Sequence, residues 1–190
     1  AAGVLTTEAH ARELGIDPSH WVYPMGGADQ NDVWHVTERP DLSRSPAIRA
    51  AARRAFAQAG CRIEEITDFD LYSCFPAAVE IALDALDLSA DDPRPLTVTG
   101  GLPYFGGPGN NYSLHAIATA VDRVRANRDA KIFVSALGWY CTKHAIGVYG
   151  GRRGAKPWTP DADRAREAEQ TAIDRTALPP PLAEAEGSAR

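Results

Sequence analysis

Apolar positions recur at two spacings along this chain, and the switching between them predicts its elements. Ala1–Thr6 and Trp21–Met25 are apolar runs of strand length, the second ending at Gly26 and Gly27. Between them, Glu8–Leu14 reads as a helical turn closed by Gly15. The polar stretch 28–44 predicts a loop, and its His35 has no other His, Cys or carboxylate at ligand spacing. Ser45 then suits an N-cap and Pro46 a first helical position. Ile48, Ala51, Ala52, Ala55, Phe56 and Ala59 follow at three- and four-residue steps before Gly60. Arg49, Arg53 and Arg54 lie off that stripe, as a solvated face or a phosphate contact.

Strands and helices alternate from there. Phe69–Ser73, Pro95–Thr99, Lys131–Ala136 and Ala145–Tyr149 predict strands. Ala77–Leu88 predicts a helix with Ala78, Val79, Ala82, Leu83 and Leu86 inward. Tyr112–Ala126 predicts another, with Leu114, Ile117, Ala118, Val121 and Val124 as its stripe. The order β-α-β-α-β-α-β-β implies an α/β sheet layered with helices. Ligands in such sheets gather in the loops after the strands, here 72–76, 100–111 and 136–144. Beyond Gly150 the chain is rich in Arg, Asp, Glu, Ala and Pro, with few large apolar residues. That composition predicts a polar linker or extended C-terminal arm over 151–190, with an exposed helix over 164–174. The folded part is expected to span residues 1–150.

Composition narrows the function more than the fold. The 190 residues are 44% hydrophobic, enough for a core, and carry a net charge of −5. The basic residues are scattered, which argues against a nucleic-acid partner. No apolar run has the length of a membrane span. Three cysteines without a C-x-x-C pair point to reduced thiols and a cytoplasmic setting. No metal site is expected. The chain opens on AAGVLTT without Met, as a piece of a longer protein would.

The most unusual stretch is Thr97–His115, TVTGGLPYFGGPGNNYSLH, with five glycines and two prolines. It matches neither the dinucleotide nor the P-loop fingerprint. Together with RPDLSRSPAIRAAARRAF, DLYSCFPAAVEIALDALDL and VSALGWYCTKHAIGVY, it resembles the thiolase superfamily. The likeness runs from residue 1 to about residue 150. It is to the C-terminal half of proteins of the acetyl-CoA acetyltransferase type, related to sterol-carrier-type thiolases. The resemblance implies a thiolase-like half with a five-stranded mixed sheet. It also implies a coenzyme A thioester as substrate, no bound cofactor and a role in lipid metabolism. As partners it implies an acyl-CoA, an N-terminal half bringing the nucleophilic cysteine, and a homo-oligomer or hetero-complex; the polar tail adds a possible further C-terminal domain.

Laid on the family's motifs, this half departs from them three times. Tyr72 stands where Asn or His is expected, Gly107 where the catalytic His belongs, and Ala136 where the acid/base Cys belongs. The implied substrate-binding residues are Gly100, Gly101, Gly106, Gly107, Pro108, Asn110 and Gly138. The candidates to replace the lost acid/base groups are Tyr72, His115 and His144. Each has a structural alternative: a sheet residue for Tyr72, a helix-surface position for His115, a rim position for His144. Cys74 reads as a small buried residue, and Cys141 lies too far past Gly138 for the family's cysteine. Tyr104, Tyr112 and Tyr140 offer an aromatic wall or ordinary packing. Tyrosine at 72 also resembles thiolase-like retro-aldolases. Three functions stay open: a thiolase-type acyltransferase, a C–C lyase using Tyr72, and a non-catalytic acyl-CoA-binding subunit. The 190 residues by themselves are expected to be inactive.

Overall fold

The computed structural model describes residues 1–158 and 161–182. Its helices are α1 (Glu8–Glu13), α2 (Pro46–Ala59), α3 (Pro76–Ala85), α4 (Leu102–Phe105), α5 (Tyr112–Ala126) and α6 (Asp161–Asp174). Its strands are β1 (Tyr23–Asn31), β2 (Asp68–Asp70), β3 (Lys131–Gly138) and β4 (Lys143–Gly150). They form one mixed sheet in the order β1-β4-β3-β2, in which only β2 and β3 run parallel.

The two-residue period of β3 sorts the core. Phe133 faces α2 and α3 in a cluster with Met25, Ala55, Phe69, Leu83 and Val148. Ile132 and Val134 face α5, against Ala116, Ala120 and Val124. A row of buried alanines lets α2 lie close on the sheet. Its ends follow the sequence signals. The Ser45 hydroxyl accepts from the Ile48 amide at 3.1 Å, and Gly60 closes the helix at φ 70°.

The structure corrects several expectations. The sheet has four strands rather than five. The Pro95–Thr99 segment lies beside β2, its Pro95 and Leu96 carbonyls accepting from the Phe69 and Leu71 amides at 2.8 and 3.0 Å. It does not complete a ladder, because Pro95 has no N–H and the Val98 and Thr99 amides turn to the Asp70 carboxylate instead. Residues 1–6 form no strand; Val4 and Leu5 are exposed. β1 runs through Gly26 and Gly27 to Asn31 instead of stopping there, with a bulge between Pro24 and Gly26. In α5 the buried row is Tyr112, Ala116, Ala120 and Val124, and the larger Leu114, Ile117 and Val121 are only half-buried.

The region past Gly150 is not simply an extended arm. Ala155 and Lys156 donate to the Ala59 and Gln58 carbonyls, and α6 then docks on α2 and β1. Arg53 and Arg54 both pair with Glu169, while Arg49 grips Asp87; Arg49 and Arg53 remain solvent-exposed and Arg54 is largely covered. Ile173 is buried with Val33 and Ala47. The outward backbone groups of β1 are met by side chains. Gln58 accepts from the Gly27 amide, Arg54 donates to the Asp29 carbonyl, and the Gln170 amide pairs both backbone groups of Asn31. Among the described residues no helix is long and apolar enough to cross a membrane.

Candidate functional site

Because β2 and β3 are parallel, the segments leaving their C-terminal ends emerge on one side of the molecule. The Tyr72 amide donates to Ser135 Oγ on β3 at 2.9 Å, and the Leu102 amide donates to Ser73 Oγ at 3.0 Å. The loop after β2, the glycine-rich loop and the end of β3 are thereby joined.

The glycine-rich loop hangs from one buried carboxylate. Asp70 is fully buried on β2. Its Oδ2 accepts from the Thr97 and Thr99 hydroxyls and the Val98 amide, each at 3.0 Å, and from the Thr99 amide at 3.2 Å. Its Oδ1 accepts from the Tyr112 hydroxyl at 3.0 Å, and that hydroxyl lies 2.7 Å from Thr99 Oγ1. A buried carboxylate is tolerated only when its lone pairs are filled in this way. The next residues then turn sharply. Gly101 has φ 83°, and a Cβ there would stand 2.7 Å from Ser73 Oγ. Asp70 was not among the residues singled out in the sequence. An acid inside the apolar FDLY run was the only sign of it.

Tyr72 sits against this support. Its ring meets Tyr112 edge-on at 5.2 Å, and no other described residue hydrogen-bonds its hydroxyl. Burial, with Cys74 beside it, raises the Tyr72 pKa above the usual phenol range. Burial raises Tyr112 likewise. Both phenols therefore stay protonated near neutral pH and serve as donors.

The other expected residues divide. His115, at the start of α5, stacks edge-on with Phe105 of the loop at 4.8 Å, and its Nε2 lies 3.4 Å from the Ala1 amino group. Gly100 and Gly106 hold positive φ; Gly107, Pro108 and Asn110 are exposed on the loop. Among the described residues nothing accepts from the Gly107 amide. Gly138 ends β3, and its carbonyl accepts from the Thr142 amide at 3.2 Å. Ala136 pairs with Ala145 across β3 and β4.

His144 is not at the rim. It is buried on the α2 side, its Nε2 3.0 Å from Asp32 Oδ2 and 3.2 Å from the Cys141 carbonyl. Both partners are acceptors, so Nε2 carries the proton. Asp32 also accepts from the Ser45 hydroxyl and the Ala47 amide. His144 thus supports the N-terminus of α2. The cavity it lines with Ile48, Ala78 and Ala82 holds about 10 Å³, at the limit for one water.

Tyr112 packs fully, whereas Tyr104 and Tyr140 stay exposed. Trp34 and Trp139 stack at 5.9 Å, with Tyr140 edge-on to Trp139. Open aromatic rings, a glycine loop and the Tyr72 phenol can flank and hydrogen-bond an acyl carbonyl, while the Tyr112 hydroxyl is engaged with Asp70 and Thr99. Beside them stand the His115 imidazole, against Phe105 of the loop, and the Cys74 thiol, next to Tyr72.

No family model matches the chain, and no curated protein matches it. Among solved structures it is similar to a crystal structure of a monomeric SCP2-thiolase like protein type 1 from Mycobacterium smegmatis. The two are 40% identical over 86% of this chain, with a TM-score of 0.78. The chain is thiolase-like. Its relationship is to the sterol-carrier type, and it spans 36% of that structure's length. The four-stranded sheet and its helices are this chain's form of a thiolase-like fold.

Proposed function

We propose that this thiolase-like chain forms one wall of a coenzyme A thioester site in an acyltransferase whose reactive thiol comes from a second thiolase-like half. The observation that carries this is the Tyr72 hydroxyl, protonated and without a hydrogen-bond partner among the described residues, beside the carboxylate-anchored glycine loop. In this reading Tyr72 donates to the thioester oxygen as charge develops on it. The Gly107 amide is a second donor within the same loop. His115, held against Phe105 of the loop, is the histidine assigned to proton transfer. His144 is a positioning residue for α2.

The raised Tyr72 pKa also weighs between acyl transfer and retro-aldol cleavage. A lyase using Tyr72 as base needs a phenolate to take the β-hydroxyl proton, and burial opposes that form. Donation to a thioester is the role a protonated phenol fills.

The test uses a protein carrying this segment together with a thiolase N-terminal half. Incubated with acetyl-CoA, it is expected to form an acyl-enzyme visible by intact mass and to release free CoA. Tyr72→Phe is expected to lower kcat/KM by about 100-fold, as loss of an oxyanion donor does, with Tm unchanged. The isolated 190 residues are expected to show no turnover. Saturable acyl-CoA binding without acyl-enzyme or CoA release would replace the enzyme reading with a binding subunit.

A further inference from the structure

At the end of β3 away from Tyr72, where Lys131 pairs with Gly150 of β4, a second cavity of about 170 Å³ opens. The turn entering β3 is closed by Asn127, whose side-chain and backbone oxygens accept from the Asp129 and Ala130 amides at 3.2 and 3.0 Å. That turn presents Arg128, which is half-buried. Its guanidinium donates to the Trp21 carbonyl at 2.6 Å and to the Gly151 carbonyl at 2.8 Å. The backbone at Gly151 is bare for this contact. An added Cβ would stand 2.4 Å from the Arg128 carbonyl oxygen and 3.1 Å from its Nε and Cζ.

Both acceptors of Arg128 are neutral. Among the described residues no carboxylate pairs with it, and its other N–H groups have no acceptor. Arg128 is therefore a cation held in place and left uncompensated. Lys131 and Arg152 line the same cavity, as does the carboxylate of Asp129. Lys131 reaches Glu65 at 2.7 Å, and Arg152 meets Asp129 at 3.0 Å with side chains 82% and 81% exposed. A pair that open exchanges partners readily. The whole chain carries a net charge of −5, so this surplus of positive charge is local.

We propose that this cavity binds a phosphate group, with Arg128 as its fixed anchor and Arg152 and Lys131 as its flanking cations. A guanidinium offers paired N–H groups to two oxygens of the anion, and the flanking cations serve the remaining ones. Arg152 turns from Asp129 to the ligand, and Asp129 moves into the solvent it already faces. The volume is several times the share of one water, so the anion enters with part of its hydration. A simple carboxylate would engage Arg128 but has no third oxygen for the flanking cations. The occupant is free phosphate or a phosphomonoester. Because this cavity lies at the other end of β3, it stands apart from the proposed thioester site.

Isothermal titration of the full-length protein with inorganic phosphate tests this, at low salt and about pH 8, where the dianion prevails. One saturable site is expected, weakened about tenfold in Arg128→Gln and about threefold in Arg152→Gln. Arg152→Gln alters only an exposed pair and is expected to leave Tm unchanged, so it decides the matter even where Arg128→Gln fails to fold. Displacement of phosphate by glycerol phosphate would identify a phosphomonoester as the occupant, and binding of inorganic phosphate alone would identify the free ion; both support the site. No saturable binding up to about 50 mM, acetate bound as tightly as phosphate, or an affinity unchanged in either folded variant would overturn the proposal.

Discussion

Gly26 and Gly107 share a side chain and nothing else. Gly26 lies in β1 beneath α2, where an added Cβ would stand 2.2 Å from the Ala55 carbonyl oxygen and 2.7 Å from the Ala59 nitrogen. The helix rests on bare backbone there, and its alanine row exists for the same close approach. Gly107 lies on the exposed loop with nothing within 4 Å of its Cβ position and no positive φ. The first glycine is demanded by this chain's own packing. The second is not: nothing in the described packing requires a glycine at 107. That separates glycines that build the sheet from a glycine that leaves room at the candidate site.

The contrast can be broken by substitution. Gly26→Ala is expected to have the largest effect, lowering stability by upwards of about 3 kcal/mol, since backbone rather than a flexible side-chain end must move. A urea midpoint shifted with unchanged slope would measure it; a loss below about 1 kcal/mol would mean α2 does not rest on the strand as described. Asp70→Ala is expected to cost about 2–3 kcal/mol by stripping five hydrogen bonds from one buried acceptor set. It should also open residues 97–111 to protease before the rest of the chain; equal cleavage throughout would deny Asp70 its role as the loop's anchor. Gly107→Ala stands at the small end. Stability is expected to stay level or rise by up to about 1 kcal/mol, because only unfolded-state entropy changes. A clear fall in Tm would show that the loop is packed at that point after all.

What the sequence made legible was local. Ser45, Pro46 and Gly60 marked α2 to the residue because capping chemistry involves only neighbouring groups. The Tyr112–Ala126 helix was legible in its bounds but not in its face. Its small residues are deepest because the sheet lies close, and hydrophobicity favoured the larger ones beside them. β1 was cut short in the reading because Gly26-Gly27 looks like a turn. Only the approach of α2, distant in sequence, explains glycines inside a strand. The docking of α6 was hidden for a related reason. It rests on the buried Ile173 and on ion pairs and amide contacts to Glu169 and Gln170, which composition counts as solvent-facing. At the candidate site, the resemblance pointed to Tyr72 and the glycine loop. It did not mark Asp70, whose partners come from two other segments.

The side chains along β1 have one more consequence. Gln58, Arg54 and Gln170 occupy the outward backbone groups at Gly27, Asp29 and Asn31, and Gln170 pairs with Asn31 as a neighbouring peptide would. At the opposite border, the Pro95–Thr99 segment lies along β2 with its Val98 and Thr99 amides already spent on Asp70. A sheet with unpaired borders recruits strands from other chains, which leads to runaway assembly as readily as to useful dimers. Here the borders are blunted at these positions by side-chain chemistry rather than by more strands.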